Sequence, residues 1–171
     1  MSSGQHRLQD VISQIGQDTV TDICLPGWLV DSPIKKFDPW TWTSYLELAS
    51  GRFVRLHAVN YSGQVEVTIV DEIHEPPEWE GEEETLVVAS LNHLFLMQES
   101  YRVTAIRWVT DEGSDPVRGV VKCIEFIFEG AQSLFVDPEW YFGLHLSGAG
   151  AYEKWILDRD ETNWQEHLSK L

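Results

Sequence analysis

The sequence predicts an α+β fold dominated by antiparallel strands. The expected form is one twisted sheet, or a partly open barrel, of about six to eight strands, with short helices from the N- and C-termini packed on it. Three observations lead there. Residues 64–70 alternate strictly, with Val65, Val67 and Ile69 on one face and Glu66 and Thr68 on the other. Glycine-centred turns at Ser50-Gly51, Ser62-Gly63 and Glu129-Gly130 separate strand-like runs. Helical spacing is confined to the two ends of the chain.

Taken in order, Leu8, Val11, Ile12 and Ile15 fall at i, i+3, i+4 and i+7, which predicts a helix that ends near Gly16. Residues 17–41 carry Pro26, Pro33 and Pro39 with Gly27 and read as an irregular ordered connection. Residues 42–158 read as a β-rich body. Trp42–Leu48 and Phe53–Val59 form a hairpin there, and Gln64–Val70 is the clearest strand. Residues 71–84 interrupt it with an acidic loop, and 85–90 resume as a strand. Leu91–Met97 fits helix or strand equally, because a short apolar run has no decisive period. Tyr101–Thr110 is strand-like. Val120–Phe128 is apolar on both faces, the mark of a central strand. Ser133–Val136 and Phe142–Leu146 follow. Thr162 and Gln165 have capping-box spacing and Trp164, Leu168 and Leu171 make a helical stripe, so 161–171 is expected to be a docked C-terminal helix.

The 171 residues suit one domain, and 43% hydrophobic content with 12% aromatic residues supports a sizeable core. Charge narrows the function classes: 28 acidic residues against 12 Lys and Arg give a formal net of -16. A field of that sign repels nucleic acid and anionic membranes and steers basic proteins in. The polar start has no apolar signal segment and no run approaches the roughly 18 to 20 apolar residues of a spanning helix, so a cytoplasmic protein without membrane contact is expected. Cys24 and Cys123 belong to no C-x-x-C pair and read as reduced, buried thiols.

The sequence carries none of the familiar motifs of catalytic chemistry. Gly148-Ala-Gly150 lacks the third glycine and the Gly-Lys-Ser/Thr of phosphate loops, and reads as a turn. The six histidines have neither H-E-x-x-H nor H-x-H spacing, and the acidic loop lacks the ligand order of a calcium loop. No nucleophile elbow is present. No catalytic residue, cofactor or metal ligand is assigned, and no enzymatic activity is expected.

One segment remains. Between residues 71 and 84 stand Asp71, Glu72, Glu75, Glu78, Glu80, Glu82, Glu83 and Glu84, with no Lys or Arg and with Trp79 at the centre. Carboxylates around an indole resemble the anchors of protein interfaces. The leading expectation is an acidic binding or inhibitor protein that docks electrostatically on a basic partner, as a bacterial immunity protein does on a cationic toxin. The alternative is a small-ligand module in which Trp40 and Trp42 stack on a sugar or an organic cation.

Overall fold

In a computed structural model the chain is described over residues 7–30, 33–76, 85–96, 98–159 and 163–171. Helix α1 spans Arg7–Gly16. Strands β1 (Val20–Val30), β2 (Lys36–Pro39), β3 (Thr43–Leu48), β4 (Phe53–Ala58), β5 (Val65–Val70) and β6 (Leu86–Ser90) follow. After α2 (Asn92–Phe95) come β7 (Val103–Thr110), β8 (Val120–Val121), β9 (Cys123–Phe128), β10 (Ser133–Trp140) and β11 (Gly143–Ser147). Helix α3 (Ala151–Leu157) and β12 (Gln165–Lys170) close the chain.

The fold is α+β and mostly antiparallel, as expected, but its strands make two sheets rather than one, and among the described residues there are twelve strands rather than six to eight. The first sheet runs β2-β1-β3-β4-β5-β8 with β6 also on β1, and the second runs β11-β10-β9-β7-β12. Neither closes into a barrel. The sheets face each other across one core in which Ile23, Leu46, Val54, Leu56 and Val67 of the first meet Ile106, Ile124, Phe126, Leu134 and Val136 of the second. Helix α1 seals one end with the stripe read from its spacing, Leu8, Val11, Ile12 and Ile15, all buried. Helix α3 covers the outer face of the second sheet, where Tyr152 and Trp155 pack on Phe135, Val109 and Cys123. No helix among the described residues is long and apolar enough to cross a membrane.

Three assignments are corrected. Residues 17–41 are not irregular: β1 is the longest strand described, and it pairs with three partners. The registers overlap at Cys24 and at Gly27–Trp28, so β6 lies along one side of β1 while β3 and β2 lie end to end along the other. Pro26 falls in the gap between those two, where no ladder donor is required; its carbonyl accepts from Trp40 N at 2.7 Å. The C-terminal segment is the strand β12, antiparallel to β7, rather than a helix. Leu168 is 58% exposed, so its 3–4 spacing with Trp164 and Leu171 marks no buried stripe. The open edge of β7 offers six residues of ladder pairing, which outweighs local helical propensity. Finally, the β-rich body also contains two helices, α2 within the undecided run and α3 before the C-terminal strand.

The centre of the second sheet holds a buried ion pair. Glu125 of β9 is 1% exposed; it is bonded by the Arg107 guanidinium from the facing position on β7 and by Ser133 Oγ at 2.8 Å. Arg107 also bonds Glu153 of α3 and lies 3.9 Å above the Tyr152 ring. Burial opposes the charge on Arg107, but the two carboxylates hold its pKa above the ordinary value.

Candidate functional site

Three residues of the acidic segment, Asp71, Glu72 and Glu75, fall among the described residues. Asp71, Glu72 and Glu75 leave the end of β5 with exposed side chains. Asp71 pairs with Arg52 at 3.0 Å and Glu72 lies 3.7 Å from His74 Nδ1. Glu75 edges a cavity of about 260 Å³ over the outer face of the first sheet, beside Trp40, Tyr45, Arg55 and His57. Glu78, Trp79, Glu80, Glu82, Glu83 and Glu84 lie outside the described residues.

Elsewhere the two sheets present a ridge of aromatic side chains that the spacing of residues did not announce. It is built from the β4–β5 turn and the β10–β11 turn. In the first, Ser62 N bonds the Val59 carbonyl at 2.8 Å, and both residues between them, Asn60 and Tyr61, have positive φ, 37° and 56°. Such turns favour glycine in second place, because a Cβ in the left-handed region crowds the following carbonyl. Tyrosine stands there instead and its ring projects outward, 85% exposed. In the second turn Trp140, Tyr141 and Phe142 follow one another at 41%, 79% and 59% exposure.

Gly143 draws the two halves together. Its φ is 116°, and a Cβ at this position would lie 2.5 Å from the Thr41 carbonyl oxygen. Without one, Leu144 N reaches that oxygen at 2.7 Å and Thr41 Oγ1 donates to the Phe142 carbonyl. The second sheet's turn is thereby clamped to the segment entering β3. Trp42, half-buried at that entry, meets Tyr61 edge-to-face with centroids 4.8 Å apart. Tyr141 and Phe142 meet in the same way at 5.0 Å, and Trp140 and Phe142 at 5.3 Å.

Between Trp42 and Tyr61 on one side and Trp140 and Tyr141 on the other is a cleft of about 620 Å³. Trp42, Tyr61 and Tyr141 also border a second, smaller cleft that extends to Trp28 and Trp40. Of the two tryptophans considered for ligand stacking, Trp42 therefore lies in the main cleft and Trp40 in its neighbour; both are half-buried.

Glu139 lines the main cleft and is anchored from below. Its carboxylate takes Lys122 Nζ at 3.1 Å and is paired with Arg159. Lys122, buried, also bonds Asp111 at 3.0 Å, while the Arg159 guanidinium lies 4.0 Å over the Trp155 ring. Burial pushes the Asp111 carboxyl up, but Lys122, Gln64 and the Gly113 amide outweigh it and hold the pKa below the ordinary value. Asp137 goes the other way, because burial raises it despite nearby Arg159. Among the ion-paired groups two acids, Asp111 and Glu139, balance two bases, Lys122 and Arg159, with Asp137 beside them.

One trio among the described residues has metal-ligand proximity: the donor atoms of Asp22, Cys24 and Glu47 lie within 4.8 Å of one another. Burial, followed by the two carboxylates, pushes the Cys24 thiol up to about 12, so it is protonated at neutral pH. Asp22 already accepts from Ile23 N and Ser90 Oγ, each at 2.7 Å. Asp22 thereby ties β1 to β6 through Ser90. Both cysteines are free and buried.

The ridge escaped the sequence reading because its aromatics were counted toward the core. The available signal was three successive aromatics, Trp140, Tyr141 and Phe142, directly before Gly143. No family model matches the chain, and no curated protein or solved structure matches it.

Proposed function

We propose that this protein is an acidic interaction protein which docks on a basic protein partner and neutralises or escorts it, in the manner of an immunity protein set against a cationic toxin. The observation that carries the reading is the aromatic ridge. Tyr61, Trp140, Tyr141 and Phe142 are exposed together on two turns, the second clamped to the segment whose Trp42 meets Tyr61, and Tyr and Trp are enriched among the few residues that dominate binding energy in protein interfaces. Exposed rings in such a cluster have no role in the protein's own core. The net charge of -16 favours a basic partner and disfavours nucleic acid. Asp71, Glu72 and Glu75 contribute to that field from the end of β5. The test compares affinity capture by the wild-type chain with capture by Tyr61→Ser/Tyr141→Ser/Phe142→Ser, a variant of unchanged net charge. Proteins retained by wild type and lost from the variant are expected to be basic and to elute between about 0.1 and about 0.5 M salt. Equal retention by both chains, or retention of acidic proteins, would refute the reading.

A second reading has support from the same cleft. Its ring-lined walls around Trp42 suit stacking on a sugar. Saturable quenching of tryptophan fluorescence by a neutral saccharide, lost in Trp42→Ala, would favour it over protein docking.

A further inference from the structure

We infer that the cleft between Trp42–Tyr61 and Trp140–Tyr141 is a receptor for an arginine side chain presented by the partner. This rests on the docking reading and adds the chemistry that the cleft selects.

Four aromatic residues wall the cleft, Pro138 adds an apolar surface and Glu139 supplies a carboxylate. Its lining contains no Lys, Arg or His. Ring faces carry negative electrostatic potential, so an aromatic enclosure attracts cations and gives nothing to an anion. The carboxylate is fixed in advance: Lys122 and Arg159 hold Glu139 from beneath, and its Cγ lies 3.4 Å from the position a Gly63 Cβ would take. Both of those bases are engaged by acids, Lys122 by Asp111 and Glu139 and Arg159 by Glu139, so neither presents an uncompensated positive charge to the cleft. An entering cation therefore meets a carboxylate and four rings, with no positive side chain in the lining, within a molecule of charge -16.

Arginine is favoured over lysine because its planar guanidinium stacks on rings while its edge still donates hydrogen bonds, and because it loses less hydration on entry than an ammonium group. The protein uses that geometry twice internally, with Arg107 over Tyr152 at 3.9 Å and Arg159 over Trp155 at 4.0 Å. In the second case the same guanidinium bonds Glu139, so a ring and this carboxylate already accept one arginine together from the inner side. The positive φ of Tyr61 points the same way, since a strained backbone position holds a ring at the mouth of the cleft.

The test uses the full chain and three capped pentapeptides, acetyl-Gly-X-Gly-X-Gly-amide with X as arginine, lysine or citrulline. Citrulline keeps the shape of arginine without its charge. Tryptophan fluorescence is expected to report saturable binding of the arginine peptide, with the citrulline peptide weaker by about tenfold or more. Tyr61→Ser/Tyr141→Ser should weaken the arginine peptide by about fivefold while leaving net charge, and so general attraction, unchanged. Both tyrosines are exposed, and an unaltered circular dichroism spectrum establishes that the variant folds; Trp140→Ala gives an independent check. Equal binding of arginine and citrulline peptides, no saturation by about 5 mM peptide, or undiminished binding to the variants would overturn the inference. Ridge-dependent capture of a basic protein combined with no preference for arginine would sink this inference alone. Arginine binding with no ridge-dependent protein capture would sustain the receptor and remove the docking reading.

Discussion

Replacing Arg107 with methionine tests the account of the second sheet. The side chain keeps most of its length but loses the guanidinium that faces Glu125 across the β7–β9 register. Glu125, 1% exposed, would keep the hydrogen bond from Ser133 Oγ at 2.8 Å but lose its counter-ion. Removing one member of a buried pair typically costs about 3–5 kcal/mol, since the other charge stays desolvated. Loss of the contact with Tyr152 adds about 0.5–1 kcal/mol, taken at the low end because Arg107 is partly exposed. A total of about 4 kcal/mol corresponds to a fall in Tm of roughly 8–16 °C in a chain of this size. Urea unfolding followed by tryptophan fluorescence measures it, with an unchanged slope as the check that both variants unfold in one transition. The control is Arg107→Met/Glu125→Leu, in which neither charge remains; it should recover most of the loss, because a buried pair is often replaceable by apolar residues. A loss below about 1 kcal/mol in the single variant, or a double variant no more stable than the single, would refute the reasoning.

Other outcomes follow from particular groups. Ala131 sits at φ 62° in the β9–β10 turn with its side chain exposed, so Ala131→Gly should raise stability by about 0.5–1 kcal/mol, and an unchanged or lower urea midpoint would contradict the strain. The folded pKa of Asp111 lies below its ordinary value of 3.8, so its contribution is present above that pH and is lost as the pH falls through the lower, folded value. Asp111→Asn should therefore be less stable than wild type near pH 6 or above, with the difference shrinking by about pH 3; a constant difference across that range would remove Lys122 as the cause. Burial raises the pKa of both thiols, Cys24 to about 12, so neither should react with a thiol reagent at about pH 8 until urea unfolds the chain. A thiol that reacts quickly in the native protein would count against the tight covering of the sheets.

What could be read from the chain follows from the range of the interactions that decide each element. The α1 stripe and the alternation of β5 are local, and both are buried as their spacing implies. The central position of β9 was legible too, because it is flanked on both sides by strands and apolar on both faces, with Glu125 the charged exception. The glycines of the hairpin turns Ser50-Gly51 and Glu129-Gly130 both have positive φ, as their place after a strand implies, but only the second turn adds a further left-handed residue, Ala131. Strand β1 was hidden by Pro26 and Gly27. Each has a place only because of residues distant in sequence: Pro26 faces the gap between β3 and β2, and a Cβ on Gly27 would strike Asp38 and Phe37 of β2. Strand β12 was hidden because its partner β7 lies more than fifty residues upstream and its own spacing favoured a helix. Of the acidic segment Asp71, Glu72 and Glu75 fall among the described residues; they follow the end of β5, whereas Tyr61 of the ridge stands in the turn that precedes it. The ridge depends on the clamp between Thr41 and the β10–β11 turn, a contact of two sheets that no local pattern encodes.

The left-handed pair Asn60-Tyr61 bears on how this protein responds to engineering. A procedure that ranks substitutions by foldability alone would choose glycine at position 61, and small polar residues at 141 and 142, and would return a better-behaved protein stripped of its most distinctive surface. Tolerance of mutation at those positions in an expression screen, set against intolerance in a screen for biological effect, is the pattern by which the tip of this turn would reveal that it is retained for use rather than for folding.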